Sequence, residues 1–501
     1  MLDLFVAGFL SAIQPQLLLL IFLGVIVGII FGAIPGLTAV MAIALCLPMT
    51  YGMSPAAGMS LLVALFVGAT SGGLIAAILL KIPGTPSSIA TTFDGAPMME
   101  KGEGAKALGV GIVFSFIGTI LSILALVFIA PALARAALSF GPHEYFAIAI
   151  FSLTLIATLS SGAMTTGIFS GLVGFAVSTV GIAPVDATRR FTFGMVELTA
   201  GFSILAVLVG MFAIAEVIKL AERGRAGSKI QVSTPDMKKI KGFGFSLREF
   251  FGQLPNAFRS SVIGIVIGIL PGIGAGTSNI LAYIAARTRS KTPERFGKGT
   301  IEGVVAPETA NNAGIGGAMI PLLTLGIPGD AVTAILLGGL MMHGIQPGPM
   351  LFVTQASLVY TIFAALTVAA IVMLIVEFYG LRIFVKLLAI PAHILLPVIL
   401  VLCSVGAFGL ASRIFDIWTV LGFGILGYAF VKAGIPTAPF IIGFILGPMA
   451  ETNFRRALQL SRGDYTEFLT HPISGTFLML AALSIVWQIG SGMRKRPVRT
   501  V

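Results

Sequence analysis

Two short segments of this chain set polar and charged side chains beside helix-breaking residues inside otherwise apolar sequence. The first is Lys81-Ile82-Pro83-Gly84-Thr85-Pro86-Ser87-Ser88, followed by Thr91, Thr92 and Asp94. Proline and glycine end a helix there and free backbone N–H groups, while three hydroxyls and an ammonium add donors. That inventory suits an anion. A helix N-terminus contributes about 0.3 to 1 kcal/mol beside a negative charge, and a lysine adds Coulomb attraction at low dielectric. A di- or tricarboxylate at membrane midplane needs several such donors, because one uncompensated charge there costs at least about 2.5 to 3.5 kcal/mol. The plain alternative is a turn with Lys81 snorkelling to an interface.

The second segment is Gly326-Ile327-Pro328-Gly329-Asp330, with Asn311 and Asn312 upstream in Ala306-Pro307-Glu308-Thr309-Ala310-Asn311-Asn312-Ala313. Gly326 stands where the first segment has Lys81, and Asp330 aligns with Thr85. Asp330, with Gly329 and Asn312, could hold a coupling cation such as Na⁺ or carry a proton; a plain helix cap is the simpler reading. Further oxygens follow two Pro-Gly pairs: Thr38 after Pro35-Gly36, and Thr277, Ser278 and Asn279 after Pro271-Gly272-Ile273-Gly274. Small hydroxyl residues also pack between membrane helices, which is their commoner use.

The elements that must position these residues repeat. Gly28 to Gly36 is answered by Gly264 to Gly272, Ile82-Pro83-Gly84 by Ile327-Pro328-Gly329, and Met98-Met99 by Met341-Met342, at offsets of 236, 245 and 243. Pro-Gly breaks at matching places in two halves point to a transporter built from structural repeats, with its site at the breaks. The expected organisation is a first membrane repeat over 1–218, a basic linker over 219–259 and a second repeat over 260–501.

Composition agrees. Of 501 residues 57% are hydrophobic and only 10% charged, whereas soluble domains carry about 25% charged residues. Apolar runs at 58–80, 107–134, 145–185, 198–215, 353–376, 387–412 and 473–493 meet the span requirement of about 20 residues, and 145–185 suffices for two passes. The expected fold is an all-α polytopic membrane protein with two structural repeats of inverted topology. It should have about 10 to 12 transmembrane helices, some of them Pro-Gly-broken or re-entrant hairpin segments.

The net charge of +11 follows the positive-inside rule rather than a nucleic-acid surface. Residues 219–259 carry nine bases against three acids, and the tail holds Arg494, Lys495, Arg496 and Arg499 with no acid. Both are therefore expected on the cytoplasmic side. The glycine-rich break at 271–279 has bases on both flanks, with Arg287, Arg289, Lys291, Arg295 and Lys298 following it. A re-entrant hairpin satisfies that pattern better than one broken span.

Enzyme signatures are poor. Cys46 and Cys403 sit alone in apolar runs, and His143, His343, His393 and His471 are scattered without metal-ligand spacing. No cofactor motif is present, and no metal beyond a possible Na⁺ is expected. A Lys81–Ser87 or Lys81–Ser88 hydrolase dyad is conceivable, but a dyad needs one copy rather than a paired repeat.

The chain resembles the large membrane subunit of the tripartite tricarboxylate transporters, the TctA family. The stretches carrying the resemblance are Gly32 to Gly36, Lys81 to Ser88 with Phe93-Asp94-Gly95, Arg190 to Gly194, Pro271 to Gly274, Ala306 to Ala313, Gly326 to Gly329, His343 to Pro349, and Gly447 to Glu451. They run in the family's order. The resemblance implies a bacterial inner-membrane carrier of di- or tricarboxylates driven by a Na⁺ or H⁺ gradient. It also implies a small membrane subunit and a periplasmic solute-binding protein as partners, and an elevator-like movement. A carboxylate-permeable channel, or a carrier working without a binding protein, is the alternative. On this reading the substrate-binding candidates are Thr38, Lys81, Pro83, Gly84, Thr85, Ser87, Ser88, Pro271, Gly272, Gly274, Thr277, Ser278, Asn279, Asn311 and Asn312.

Overall fold

The computed structural model describes residues 2–159, 164–223, 242–271, 274–387, 401 and 413–494. The first half contains α1 (Leu2–Ala12), α2 (Pro15–Ala33), α3 (Ala39–Cys46), α4 (Pro55–Leu79), α5 (Thr91–Glu100), α6 (Gly104–Ala137), α7 (Pro142–Leu159) and α8 (Met164–Ser178). A two-residue antiparallel pair follows, β1 (Gly181–Ile182) with β2 (Arg189–Arg190). Then come α9 (Ile204–Leu208), a π-helical turn over Val209–Ile214 and α10 (Ala215–Arg223). The second half contains α11 (Leu247–Ile269), α12 (Gly274–Arg289), α13 (Glu302–Leu325), α14 (Ala331–Met342), α15 (Leu351–Thr354) and α16 (Ala356–Leu387). It closes with α17 (Ile414–Lys432), α18 (Thr437–Leu460), α19 (Glu467–Thr470) and α20 (Pro472–Arg494).

The protein is an all-α membrane protein. Among the described residues five helices are long and apolar enough to cross a bilayer: α2, α4, α6, α16 and α17. The long run at 145–185 divides between α7 and α8. Most of the run expected over 387–412 lies outside the described residues, as do Cys403, His393, Gly272, most of the basic linker and the end of the C-terminal tail.

Local chemistry sets the helix ends. Ser54 accepts the Ala57 N–H and Pro55 opens α4, the preferred residue types at those positions. Ser246 and Glu249 cap α11 reciprocally. α12 packs on α11, and Arg289 at its end lies close enough to Arg259, well inside α11, to act on it electrostatically.

Two helix pairs make the centre. α4 is buried along its whole length, and in α13 every residue from Gly303 to Thr324 is buried. α2 packs on α4, and α11 packs on α13, in each case through glycines that let the backbones meet. A Cβ on Gly28 would strike the Leu65 carbonyl, and one on Gly264 the Ala310 carbonyl. Gly32 meets Ala69 as Gly268 meets Gly314, and Gly72 meets Ile29 as Gly317 meets Ile265. The offset is 236 within α2 and α11 and 245 within α4 and α13, the two offsets read from the motifs.

The halves also grip each other. α6 of the first half lies on α13, with Gly118 against the Thr309 carbonyl and Gly316 against that of Ser122; α16 of the second half lies on α4.

Candidate functional site

The two motif loops are built alike. α4 closes at Leu80, after which Lys81 takes a left-handed backbone with φ of 58°. α13 closes on Gly326 at φ of 72°, a conformation that costs glycine nothing. Thr85 then caps the short turn Pro86–Ser88: its N–H donates to Ser88 Oγ at 3.2 Å, and its Oγ1 lies 3.0 Å from Ser87 Oγ. In the second half Asp330 caps α14. It accepts the Thr333 N–H at 2.8 Å on Oδ1, and its own N–H donates to Thr333 Oγ1 at 2.9 Å. Thr85 and Asp330 are 245 residues apart, as are Ser88 and Thr333.

The start of α12 lies between these loops. A Cβ on Gly276 would sit 3.4 Å from the Pro86 carbonyl oxygen, and one on Gly274 4.0 Å from the Asp330 Cβ. Asn279 Oδ1 accepts the Ala90 N–H at 2.8 Å, which ties α12 to the chain just beyond Ser88. Ser278 faces the Ala310 carbonyl at 3.5 Å, and Thr277 is exposed. Below the loops Gly84 rests on Gly32 and Gly73, and Gly329 on Gly268 and Ala318. Thus Gly84, Thr85, Ser87, Ser88, Gly274 and Asp330 are brought together from three sequence regions, with Pro83 and Pro271 at the turns beside them. Thr38 caps α3, accepting the Met41 N–H at 3.2 Å.

Three predicted residues are placed elsewhere. Lys81 points outward from its left-handed turn, with a side chain 65% exposed and Nζ 3.2 Å from Glu100 Oε1. The turn ending α4 aims it away from the hydroxyls that follow. Asn311 and Asn312 are buried in mid-α13 rather than at the loops. Asn311 Nδ2 donates to the Thr70 carbonyl at 3.2 Å; Asn312 Nδ2 donates to Ser115 Oγ at 2.8 Å and to the Glu308 carbonyl at 3.1 Å.

Beside those asparagines are two acids that sequence reasoning passed over. Glu308 accepts hydrogen bonds from Thr91 Oγ1 and, at 3.1 Å, from Ser115 Oγ. Glu377 Oε2 accepts from Ser71 Oγ at 2.5 Å. Both are fully buried. A signal existed: a single acid within an apolar helix is rare enough to mark function by default. The apolar run at 353–376 stops one residue before Glu377, whereas α16 continues past it to Leu387.

Other motif residues prove to be fasteners. Asp94, also fully buried, accepts from Tyr283 Oη at 2.9 Å and from the N–H groups of Gly297, Gly299 and Thr300 at 3.0, 2.7 and 2.9 Å. It therefore holds the loop that leads into α13. Arg190 on β2 makes a two-pronged pair with Glu451 on α18 at 2.6 and 3.1 Å, and Arg455 joins Glu451 to Asp186. The Arg455 guanidinium holds the Asp186 carboxyl down to about 2 from its ordinary 3.8. This surface pair is thus fully formed above about pH 4 and is lost only as the pH falls through about 2. On another face His143 and His471 stack at 4.6 Å, and with Glu467 they offer ligand atoms within 4.8 Å of one another. Sequence spacing gave no hint of that group.

The sequence pattern of the tripartite tricarboxylate transporter TctA family matches residues 18–442. Among curated relatives, an uncharacterized 52.8 kDa protein in the TAR-I ttuC' 3' region of Agrobacterium vitis is 34% identical over 489 residues, covering 98% of this chain and 96% of its own. An uncharacterized protein in the TAR-II ttuC' 3' region of the same organism is 37% identical over 233 residues, 46% of this chain and 96% of its own. No solved structure matches.

Proposed function

Because the chain belongs to the tripartite tricarboxylate transporter TctA family, we propose that it is the large membrane subunit of a gradient-driven importer of di- or tricarboxylates. It works with a small membrane subunit and a periplasmic solute-binding protein in a bacterial inner membrane. Residues 1–218 and 260–501 act as two repeats of inverted topology, and the linker 219–259 and the C-terminus face the cytoplasm. Matched glycine contacts in the two halves support the repeat.

The observation that carries the site is the meeting of two capped loops around the first turn of α12. Thr85 and Ser87 share one hydrogen bond and so keep one hydroxyl donor between them, while Ser88 gives its own to the Thr85 carbonyl and braces the turn. That donor and the positive dipole end of the α12 N-terminus together suit a substrate carboxylate. Asp330 confines the negative substrate to the Thr85 side by charge repulsion. Each loop rests on a glycine-packed helix pair, so loops and pair would move as one rigid body, which favours an elevator-like alternating access.

The test is uptake of radiolabelled di- and tricarboxylates into proteoliposomes containing this chain and its small subunit, with and without the binding protein. An imposed Na⁺ or H⁺ gradient should drive accumulation that depends on the binding protein. Equilibration without accumulation would overturn the carrier and favour a channel.

A further inference from the structure

The helix junction beneath the loops contains more oxygen acceptors than the protein has donors for. Glu308 of α13 and Glu377 of α16 are fully buried, and among the described residues no lysine, arginine or histidine pairs with either. The helices that carry them, α13 and α16, both pack on α4 and α6. Asn311 and Asn312 have their amide orientations fixed, since each donates from Nδ2 to a backbone carbonyl, which only the NH₂ end can do. That leaves Asn311 Oδ1, Asn312 Oδ1 and Glu377 Oε1 without partners in residues of 0% exposure. These groups fall into two hydrogen-bonded sets on adjoining helices. Ser71, which donates to Glu377, adjoins Thr70, whose carbonyl holds Asn311; Ser115 bonds both Glu308 and Asn312.

Buried oxygens without donors cost free energy unless something positive reaches them. A proton on Glu377 supplies one O–H donor, enough for at most one of the two amide oxygens, and leaves the other unsatisfied. Hard oxygen ligands suit an alkali or alkaline-earth ion. Four side chains fall short of the six to eight oxygens that Ca²⁺ takes, and a packed helix interior has no room for the waters Mg²⁺ retains.

We propose that Glu308, Glu377, Asn311 and Asn312 form a binding site for one Na⁺ ion. The proposal rests on the transport reading above and gives it a coupling site apart from the substrate loops. The link is Thr91, bonded to Glu308 and three residues beyond Ser88. One Na⁺ held between Glu308 and Glu377, with one of the two carboxyls protonated to balance the charge, would fix Thr91, and through it the 83–88 loop, in its substrate-binding position.

The test is equilibrium binding of radiolabelled Na⁺ to the purified full chain in detergent, without substrate. Wild type should bind it saturably. Glu377→Gln and Asn312→Ala, which keep side-chain shape or merely shorten it, should each weaken binding about tenfold or more. Glu222→Gln, at a surface pair with Lys432, should leave it unchanged. Monodisperse size-exclusion profiles establish folding, and should Glu308→Gln fail to fold, the other two variants carry the result. Wild-type affinity in Glu377→Gln and Asn312→Ala, or no Na⁺ binding by folded wild type, would overturn the site. Because the readout is binding, it separates the two readings: Na⁺ binding with no carboxylate uptake sinks the importer alone, and uptake with no Na⁺ binding sinks the site alone.

Discussion

Residue by residue, the loops after α4 and α13 share a left-handed turn and a capping residue but differ in their side chains. Lys81 and Gly326 occupy equivalent left-handed turns, yet only glycine adopts that backbone without a penalty of about 1 kcal/mol. The exposed charge of Lys81, paired with Glu100 at the surface, attracts anions towards the loop at low ionic strength. Lys81→Gly separates these effects. It relieves the backbone and should raise thermal stability by up to about 1 kcal/mol. If Lys81 draws in the anion, the apparent KM for carboxylate uptake should rise several-fold with kcat little changed, and more steeply at low salt than at high. Unaltered uptake at low ionic strength would leave Lys81 as an anchor. Thr85 and Asp330 diverge in the same manner: both cap a following turn, but one brings a hydroxyl and the other a carboxylate.

Among elements, the glycine-packed pairs α2–α4 and α11–α13 carry the loops. Gly32 and Gly268 each lie under a loop glycine and against the facing helix's backbone. Adding a methyl group at either position forces the helices apart, with an expected cost of about 1 to 3 kcal/mol. Gly32→Ala and Gly268→Ala should therefore lower the melting temperature in detergent by similar amounts. The double variant should lose about the sum, since the sites lie in separate pairs. A large loss at one position beside none at the other would argue that the pairs are not equivalent. How much of this was legible is clear from the parts. Gly24, Gly28 and Gly32 at four-residue spacing mark a helix face for close packing, and the Pro-Gly pairs mark where helices stop, because both signals are local. The return of α12 along α11 was legible only through charge, from basic residues on both sides of the break.

For the whole molecule, the distribution of charge predicts its orientation. Single cysteines introduced into the basic linker and after Arg494, in a background lacking Cys46 and Cys403, should react with a membrane-impermeant maleimide only in inside-out vesicles. Labelling of either position in right-side-out vesicles would reverse the assigned sidedness. The long helices α6 and α16 each lean on the other half's central helix. The proposed elevator-like movement would shear the α6–α13 and α4–α16 contacts. Those contacts are where Ser115 meets Glu308 and where Ser71 meets Glu377. A cation held there would sit at the sliding surface itself, where its arrival and departure could govern movement.

The sequence by itself determined the class of protein and the recurrence of Pro-Gly pairs in its two halves. Composition, breakers and spacing act through neighbouring residues and survive being read in one dimension. Only the tertiary structure decided that Lys81 turns outward, that Asn311 and Asn312 lie within a helix core, and that Glu308 and Glu377 share one buried junction. Those outcomes depend on the rotation of each helix about its axis and on which helices cross. Contacts between residues far apart in the chain fix both, and no local pattern encodes them.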